Sequence, residues 1–441
     1  MTEREFAVDV VKRLRDAGHE ALWAGGCVRD ELLGLVPKDY DIATDARPER
    51  VRKLFRRTVA VGVSFGVVKV LGPKPLEAEV VTFRSDTTYS DGRHPDAVVF
   101  SSAREDALRR DFTINGMFFD PVQNEVIDYV GGREDLERKL LRSIGDPYAR
   151  FAEDKLRLLR AARLATRFGL AIEPATLAAM KEMAAQIHVV SAERIADEFR
   201  KLLVQPRRTD GLRLLDEVGL LEPIMPELIP MQGLPQGPPA ASTGDLWEHV
   251  LRVLDLIGDE ISFPLALATL LHDVGKPRTV GLTPERYTFY YHEHVGRRLA
   301  DEICRRLKLS NAERERVAWL VEKHQYLCDA PKMRDSKLKV MLMHEGIDEL
   351  LELHRADAEA SSRSIEHVEF CRQRLREWSD SDINPRQLIT GDDLREMGVP
   401  PGPEYKRILD AVREAQLDGT VTTREQALAL VRRLLGFEGS P

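Results

Sequence analysis

Asp39 and Asp41 stand two residues apart in KDYDIATD, a run whose residue types predict a β-strand. Strand side chains alternate faces, so both carboxylates point to one side and Tyr40 to the other. Paired hard oxygen ligands of this kind suit Mg²⁺, and two such ions can be held by them. In a two-metal site one ion activates an attacking hydroxyl while the other neutralises a triphosphate and its leaving pyrophosphate. Upstream, Gly25 and Gly26 close a turn at the predicted start of a helix, where backbone N–H groups can approach phosphate. Arg29 in the next helical turn adds a planar fork for phosphate oxygens. A Gly-Gly turn or a DxD pair is common by itself. The order GGxVRD followed by DxDxxT is far more specific.

A second set lies in EDKLRLLRAARLATRFG, where Asp154, Arg157, Arg160 and Arg163 recur every third residue of a predicted helix. A three-residue step falls about 60° short of a turn, so the four spiral across one broad face. Asp154 can accept from an exocyclic amine while Arg157 donates to ring nitrogen or carbonyl acceptors. Cytosine and adenine present amines there, whereas uracil and guanine present carbonyls that would meet carboxylate lone pairs. Such a pair selects C and A.

A third set follows downstream. His249 in LWEHVLRV, His272 and Asp273 in LLHDVGK, His292 in FYYHEHVG, His324 in LVEKH and Asp357 in LHRADAEAS all fall on helical patterns. Imidazole with carboxylate is the donor set of a divalent transition-metal centre that generates hydroxide for phosphoester hydrolysis. Single histidines are usually satisfied core or surface residues; this many in order are not.

In these segments the chain resembles the class II tRNA nucleotidyltransferase and bacterial poly(A) polymerase family. The strand motif is Asp39, Tyr40, Asp41, Ile42, Ala43, Thr44, and RRDxxxN is Arg109, Arg110, Asp111 through Asn115. Asp128, Tyr129, Val130, Gly131, Gly132, Asp135 and Leu136 match the head-to-neck motif, YSDGRHPDAVVF (89–100) the flexible loop, and Glu153, Asp154 and Arg157 the EDxxR motif. The resemblance implies catalytic Mg²⁺ on Asp39 and Asp41, with Glu79 of a later strand as a third carboxylate. It implies nucleotide contacts from Gly26, Arg29, Arg110, Asp154, Arg157, Arg160 and Arg163. Beyond residue 246 the chain is similar to HD-superfamily phosphohydrolase domains, which implies a metal held by His249, His272, Asp273, His292, His324 and Asp357. Ni²⁺, Co²⁺ or Mn²⁺ suits that set. His292 is preferred to His294 because the pattern HExxG fits His292, Glu293 and Gly296.

The elements that must position these residues follow from composition and period. With 441 residues, 43% of them hydrophobic and 31% charged, the chain can bury more than one core. The expected class is α+β: a polymerase-beta-like mixed-sheet head over 1–135, then helical neck and body over 136–230. An HD-type domain over 246–375 and a helical tail over 376–441 complete it. LWAGG (22–26), YDIAT (40–44), GVVKVLG (66–72) and AEVVTFR (78–84) are the predicted strands, and the Pro/Gly-rich stretch 222–245 is the expected connector. The net charge of −8 does not announce a nucleic-acid binder, but Arg52, Lys53, Arg56 and Arg57, with Arg157, Arg160, Arg163 and Arg167, can form a local basic path. Cys27, Cys304, Cys328 and Cys371 form no CxxC pair and read as reduced thiols. No run of about 18 apolar residues and no signal-peptide core is present, so the cytoplasm is expected and no membrane partner.

The first functional expectation is addition of CCA to the tRNA 3′ end from CTP and ATP. Poly(A) polymerase, partial A- or CC-addition, and an HD phosphohydrolase with an RNA-binding N-terminal module are the alternatives. Asp39 and Asp41 argue against the last. The loop residues Asp91, Gly92, Arg93 and Pro95 argue against CC-addition alone, although His94 stands where many relatives have Arg.

Overall fold

Thr2 opens the first helix, Glu3–Asp16, through a reciprocal capping box with Glu5. Phe6, Ala7, Val10, Val11 and Leu14 recur at helical spacing and form its buried stripe. The strands that follow are β1 (Ala21–Ala24), β2 (Asp41–Thr44), β3 (Thr58–Gly62), β4 (Val67–Leu71) and β5 (Glu77–Thr82). A separate two-stranded pair, β6 (Arg84–Asp86) and β7 (Val98–Phe100), precedes β8 (Phe118–Asp120) and β9 (Glu125–Ile127). The main sheet has the order β3-β4-β5-β2-β1-β8-β9. β2 and β5 run parallel and every other pair in it is antiparallel. β1, near the middle, is buried at every position, as a strand covered on both faces should be.

This is the computed structural model of the chain, and it describes residues 1–62, 66–86, 98–236, 245–284, 286–379 and 383–436. The backbone divides into two compact units, Met1–Ile229 and Pro230–Pro441. In the first, helices Pro147–Glu153, Leu156–Phe168, Pro174–Met183, Ala192–Leu203 and Arg208–Glu217 follow the sheet. The only strand pairing among them is the two-residue parallel pair Leu140–Leu141 with Ala171–Ile172. Helix Leu156–Phe168 packs on Ala192–Leu203 and ends at Gly169, whose φ of +63° supplies the left-handed C-cap.

Three expectations change here. Asp39 lies in the segment before β2, which begins at Asp41, so the two carboxylates are not on one regular strand. Asp154 is not on the arginine helix. Its side chain accepts the Leu156 N–H at 3.0 Å, a local bond that competes with helix continuation, and the chain breaks between Glu153 and Leu156. The described part of the expected connector is also not extended: it forms helix Leu221–Ile224 and the 3₁₀ turn Pro226–Met231, with Met225, Leu228 and Met231 buried. The loop residues Asp91 to Pro95, His94 included, lie outside the described residues.

Among the described residues, the regular structure of the second unit is helical apart from the strand pair Gly281–Leu282 with Tyr287–Thr288. Its site is carried on, or just past the ends of, Leu246–Leu256, Phe263–Leu271, His292–Arg306, Asn311–Lys323 and Ile347–Ala360. Gly275 is where two of these segments meet, since a Cβ there would lie 2.1 Å from the His292 carbonyl oxygen. Helices Gly391–Glu396, Pro403–Leu417 and Arg424–Leu434 share a cluster of Leu394, Ile408, Val412 and Val431.

Candidate functional site

In the first unit a cavity of about 770 Å³ is lined by the strand carboxylates on one hand and the arginine helix on the other. Asp39, Asp41, Gly26, Arg29, Arg110, Asp154, Arg157, Arg160 and Arg163 all reach it, with Arg167 and Arg194. The cluster Arg52, Lys53, Arg56 and Arg57 does not. Parallel pairing sets Asp41 opposite Glu79, which gives one sheet face a second carboxylate beside the first. Burial, then the charges of Asp39 and Glu79, push the Asp41 carboxyl up to about 6, and Arg110 offsets this only in part. A buried acid crowded by like charges lacks a counter-ion. That fits a divalent cation on these oxygens. Glu79 also lies 3.9 Å from Lys69 Nζ and does not itself line the cavity.

The cationic wall is held in place before any ligand arrives. Gly25 takes φ +76° to end β1, and a Cβ there would come within 2.8 Å of Arg110 Nη1. Only glycine lets that arginine approach. Arg110 is braced by Asp106 (Nη2 to Oδ2 2.9 Å), which also holds Arg109 (2.6 Å) from helix Ala103–Leu108. Arg29 is 5% exposed, bonded to Asp30 and Asn115, and stacked over Phe168 at 4.3 Å. Arg160 meets Asp111 at 2.6 Å and Arg163 meets Glu198 at 2.6 Å. Burial would raise the Asp111 carboxyl, but Arg160 holds it well below the usual carboxylate range. Arg157 Nη1 is bonded to Glu153 and to the Arg150 carbonyl, and Asp154 receives Arg194 Nη2 at 2.6 Å.

Sequence reasoning missed Asp106, Glu198 and Arg194. Asp106 left a trace, since it precedes Arg110 by one helical turn. Glu198 and Arg194 sit on another helix, so no spacing could have tied them to the site.

The second unit gathers His249, His272, Asp273, His292, His324 and Asp357. His292 and His324 bring Nε2 atoms 3.2 Å apart, and both approach Asp273 Oδ1, at 3.2 and 3.6 Å. His272 Nε2 lies 3.1 Å from Asp273 Oδ2, and His249 Nε2 lies 3.2 Å from Asp357 Oδ1. In His272, His292 and His324 alike, Nδ1 donates at 2.7 Å to the carbonyl three residues earlier: Thr269, Phe289 and Val321. Each Nε2 lone pair is thereby turned inward, as metal-binding histidines require. His272 Nε2 and Asp273 Oδ1 are buried without a hydrogen-bond partner. Orphaned acceptors of this kind fit a metal ion. Burial disfavours the Asp273 carboxylate, but His272 and Lys276, at 2.6 Å, hold it well below the usual range. His294 is outside this group, its side chain 61% exposed beside Glu322.

Comparison with known proteins follows the same division. Residues 21–142 match the poly A polymerase head domain, 169–231 the probable RNA and SrmB-binding site of polymerase A, and 246–361 the HD domain. A CCA-adding enzyme of Levilactobacillus brevis is 32% identical over 434 residues, 97% of this chain and 96% of that one. An A-adding tRNA nucleotidyltransferase of Deinococcus radiodurans is also 32% identical, over 94% of this chain and 95% of that one. A CCA-adding enzyme of Limosilactobacillus fermentum is 44% identical over 211 residues, so there this chain spans about half the relative's length (52%). The fold superposes on a Bacillus stearothermophilus CCA-adding enzyme in complex with CTP, with a TM-score of 0.73, 27% identity and 99% of both chains covered. No helix of the described residues is long and apolar enough to cross a membrane. Full-length identity, the head-domain match and the carboxylate and arginine walls of one cavity agree: the chain belongs to the family of tRNA nucleotidyltransferases built on the poly A polymerase head domain.

Proposed function

We propose that the protein adds CCA to the 3′ end of tRNA, taking CTP and then ATP into the cavity of its first unit. The observation that carries this reading is the meeting, in one cavity, of the crowded carboxylates Asp39 and Asp41 with a wall of braced arginines. Mg²⁺ held by Asp39 and Asp41, beside Glu79, would supply positive charge to the attacking 3′-hydroxyl and to the triphosphate. The chain's own residues do the rest. Arg29, Arg110, Arg160 and Arg163 are oriented by acidic partners or by Asn115, and they set a positive field for the phosphates without reorganising.

Base choice falls to Asp154 and Arg157. A carboxylate has about four lone-pair sites, so Asp154 can keep its Leu156 and Arg194 bonds and still accept a base amine. Arg157 uses Nη1 for Glu153 and the Arg150 carbonyl and offers its other N–H groups to the base. A-addition alone is the second reading, favoured by the A-adding Deinococcus relative at equal identity. For the second unit the donor set supports phosphohydrolysis with Ni²⁺, Co²⁺ or Mn²⁺.

The deciding assay offers the purified chain, with Mg²⁺, tRNA ending before CCA, after CC or after CCA, together with CTP, ATP or both. Products are resolved at single-nucleotide length. CCA addition expects two C then one A and no growth on mature ends. Extension of the CC end alone would replace it with A-addition, and unlimited adenylate growth with poly(A) synthesis.

A further inference from the structure

Beside the histidine site of the second unit, on the far side of Asp357 from His249, a thiol and two imidazoles converge. Cys328 follows helix Asn311–Lys323, His354 lies on Ile347–Ala360 and His367 on Glu366–Glu377. Their potential ligand atoms all lie within 4.8 Å of one another. His354 Nδ1 is 3.3 Å from His367 Nε2, while His354 Nε2 lies 3.2 Å from the Lys323 carbonyl oxygen. A nitrogen facing a carbonyl oxygen must carry the ring hydrogen, so Nδ1 of His354 presents a lone pair. His367 turns its Nε2 toward that lone pair across 3.3 Å. A hydrogen on one ring or a metal ion between the two can fill that gap.

We propose that Cys328, His354 and His367 form a further metal site, selective for Zn²⁺ or a similarly thiophilic ion. The spacing has the right size, because a tetrahedron with Zn–N bonds of about 2.0–2.1 Å has an edge of about 3.3 Å. The Lys323 carbonyl orients the His354 ring through Nε2, as carbonyls orient His272, His292 and His324 through Nδ1. A second ring proton is the competing cation, but His354 is 2% exposed and burial disfavours imidazolium there. A cavity of about 140 Å³ borders the cluster, with Asp357, Arg363 and Ser364 also lining it, so a water can complete the coordination. Thiolate with imidazole prefers Zn²⁺ to Mg²⁺, which separates this site from the head-domain carboxylates. Binding replaces the Cys328 S–H bond by S–Zn and releases the proton to water. The ion would tie Ile347–Ala360 to Glu366–Glu377 and to the turn after Asn311–Lys323.

The test uses the one readily reached thiol. Cys27, Cys304 and Cys371 are buried and Cys328 is exposed, so in the native chain Cys328 alone should react rapidly with an aromatic disulfide reagent. Stoichiometric Zn²⁺ should slow that reaction at least tenfold, and His367→Ala should abolish the protection, each rate being compared with that of the same variant without metal. Co²⁺ gives an independent readout, since only a thiolate ligand produces sulfur-to-metal charge transfer in the near ultraviolet. The band should appear in the wild type and in His249→Ala, whose change lies in the other cluster, and vanish in Cys328→Ser. An unchanged modification rate with Zn²⁺, or a band that persists in Cys328→Ser, overturns the proposal.

Discussion

The two units solve the problem of holding a cation by opposite means. In the first, the protein supplies an excess of acceptors: Asp41 is crowded by Asp39 and Glu79, and the nearby positive charges are committed to other partners. In the second, His272, His292 and His324 are directional, each aimed by a carbonyl one turn back on its own segment. The head site is therefore electrostatic and tolerant of geometry, as suits hard oxygen ligands and a metal that arrives with a nucleotide. The histidine site is geometric, with ring orientation decided before binding. The difference teaches where each site is vulnerable: the first to loss of charge, the second to loss of a lone pair.

The contrast breaks most sharply when a strand carboxylate is removed. Asp39→Ala or Asp41→Ala should lower single-turnover nucleotide addition at least ~10³-fold, about 4 kcal/mol of transition-state stabilisation. RNA binding rests on other residues, so tRNA affinity in a filter assay should move by less than about threefold. Ordinary turnover in the double variant would remove these residues from the chemistry.

Separability comes next. His272→Ala combined with Asp273→Ala should eliminate any Ni²⁺- or Mn²⁺-stimulated hydrolysis of 2′,3′-cyclic nucleotides. Addition should stay within about twofold, because the two ligand sets differ in metal preference. If the variant keeps its circular dichroism but loses addition, the sites are coupled.

Base selection should respond less. Asp154→Ala removes both the acceptor for a cytosine or adenine amine and the repulsion of a uracil or guanine carbonyl. Discrimination should fall by roughly 10- to 100-fold, or about 1–3 kcal/mol. Arg194→Ala, which only orients Asp154, should shift the same ratio in the same direction by less. Unchanged selectivity across four triphosphates in both variants would return Asp154 to a merely structural role.

The smallest effect sharpens the electrostatic half of the comparison. The folded chain holds the Asp41 carboxyl at about 6, above its ordinary value of 3.8, so between those pH values the native state binds more protons than the unfolded one. Metal-free stability should therefore fall as pH rises through that window, and the penalty is complete above pH 6. Asp41→Asn, which cannot ionise, should be more stable than the wild type at pH 7.5 by on the order of 2–3 kcal/mol, with no difference at pH ~3. Thermal unfolding in chelator at several pH values measures this, and a wild type that is equally stable or better at pH 7.5 refutes the crowding.

Much of the chemistry was legible in one dimension because its parts are local. The order Gly25, Gly26, Arg29, Asp39, Asp41 lies on consecutive elements, and the HD pair His272 and Asp273 is contiguous, so residue type and spacing carried the candidate residues and the family. The α+β division was equally readable, since alternation and helical period belong to single segments. What only the tertiary structure decided were interactions between segments far apart in the chain. Strand pairing placed Glu79 opposite Asp41. Helix packing gave Glu198 to Arg163 and Arg194 to Asp154. The break before Leu156 lifted Asp154 off the arginine helix, because a side-chain cap outweighed a propensity that the sequence pattern registers as continuous. Cys328, His354 and His367 share no motif at all. They meet because the segments that carry them pack together, and packing depends on which faces are buried, a property no spacing along one segment can express.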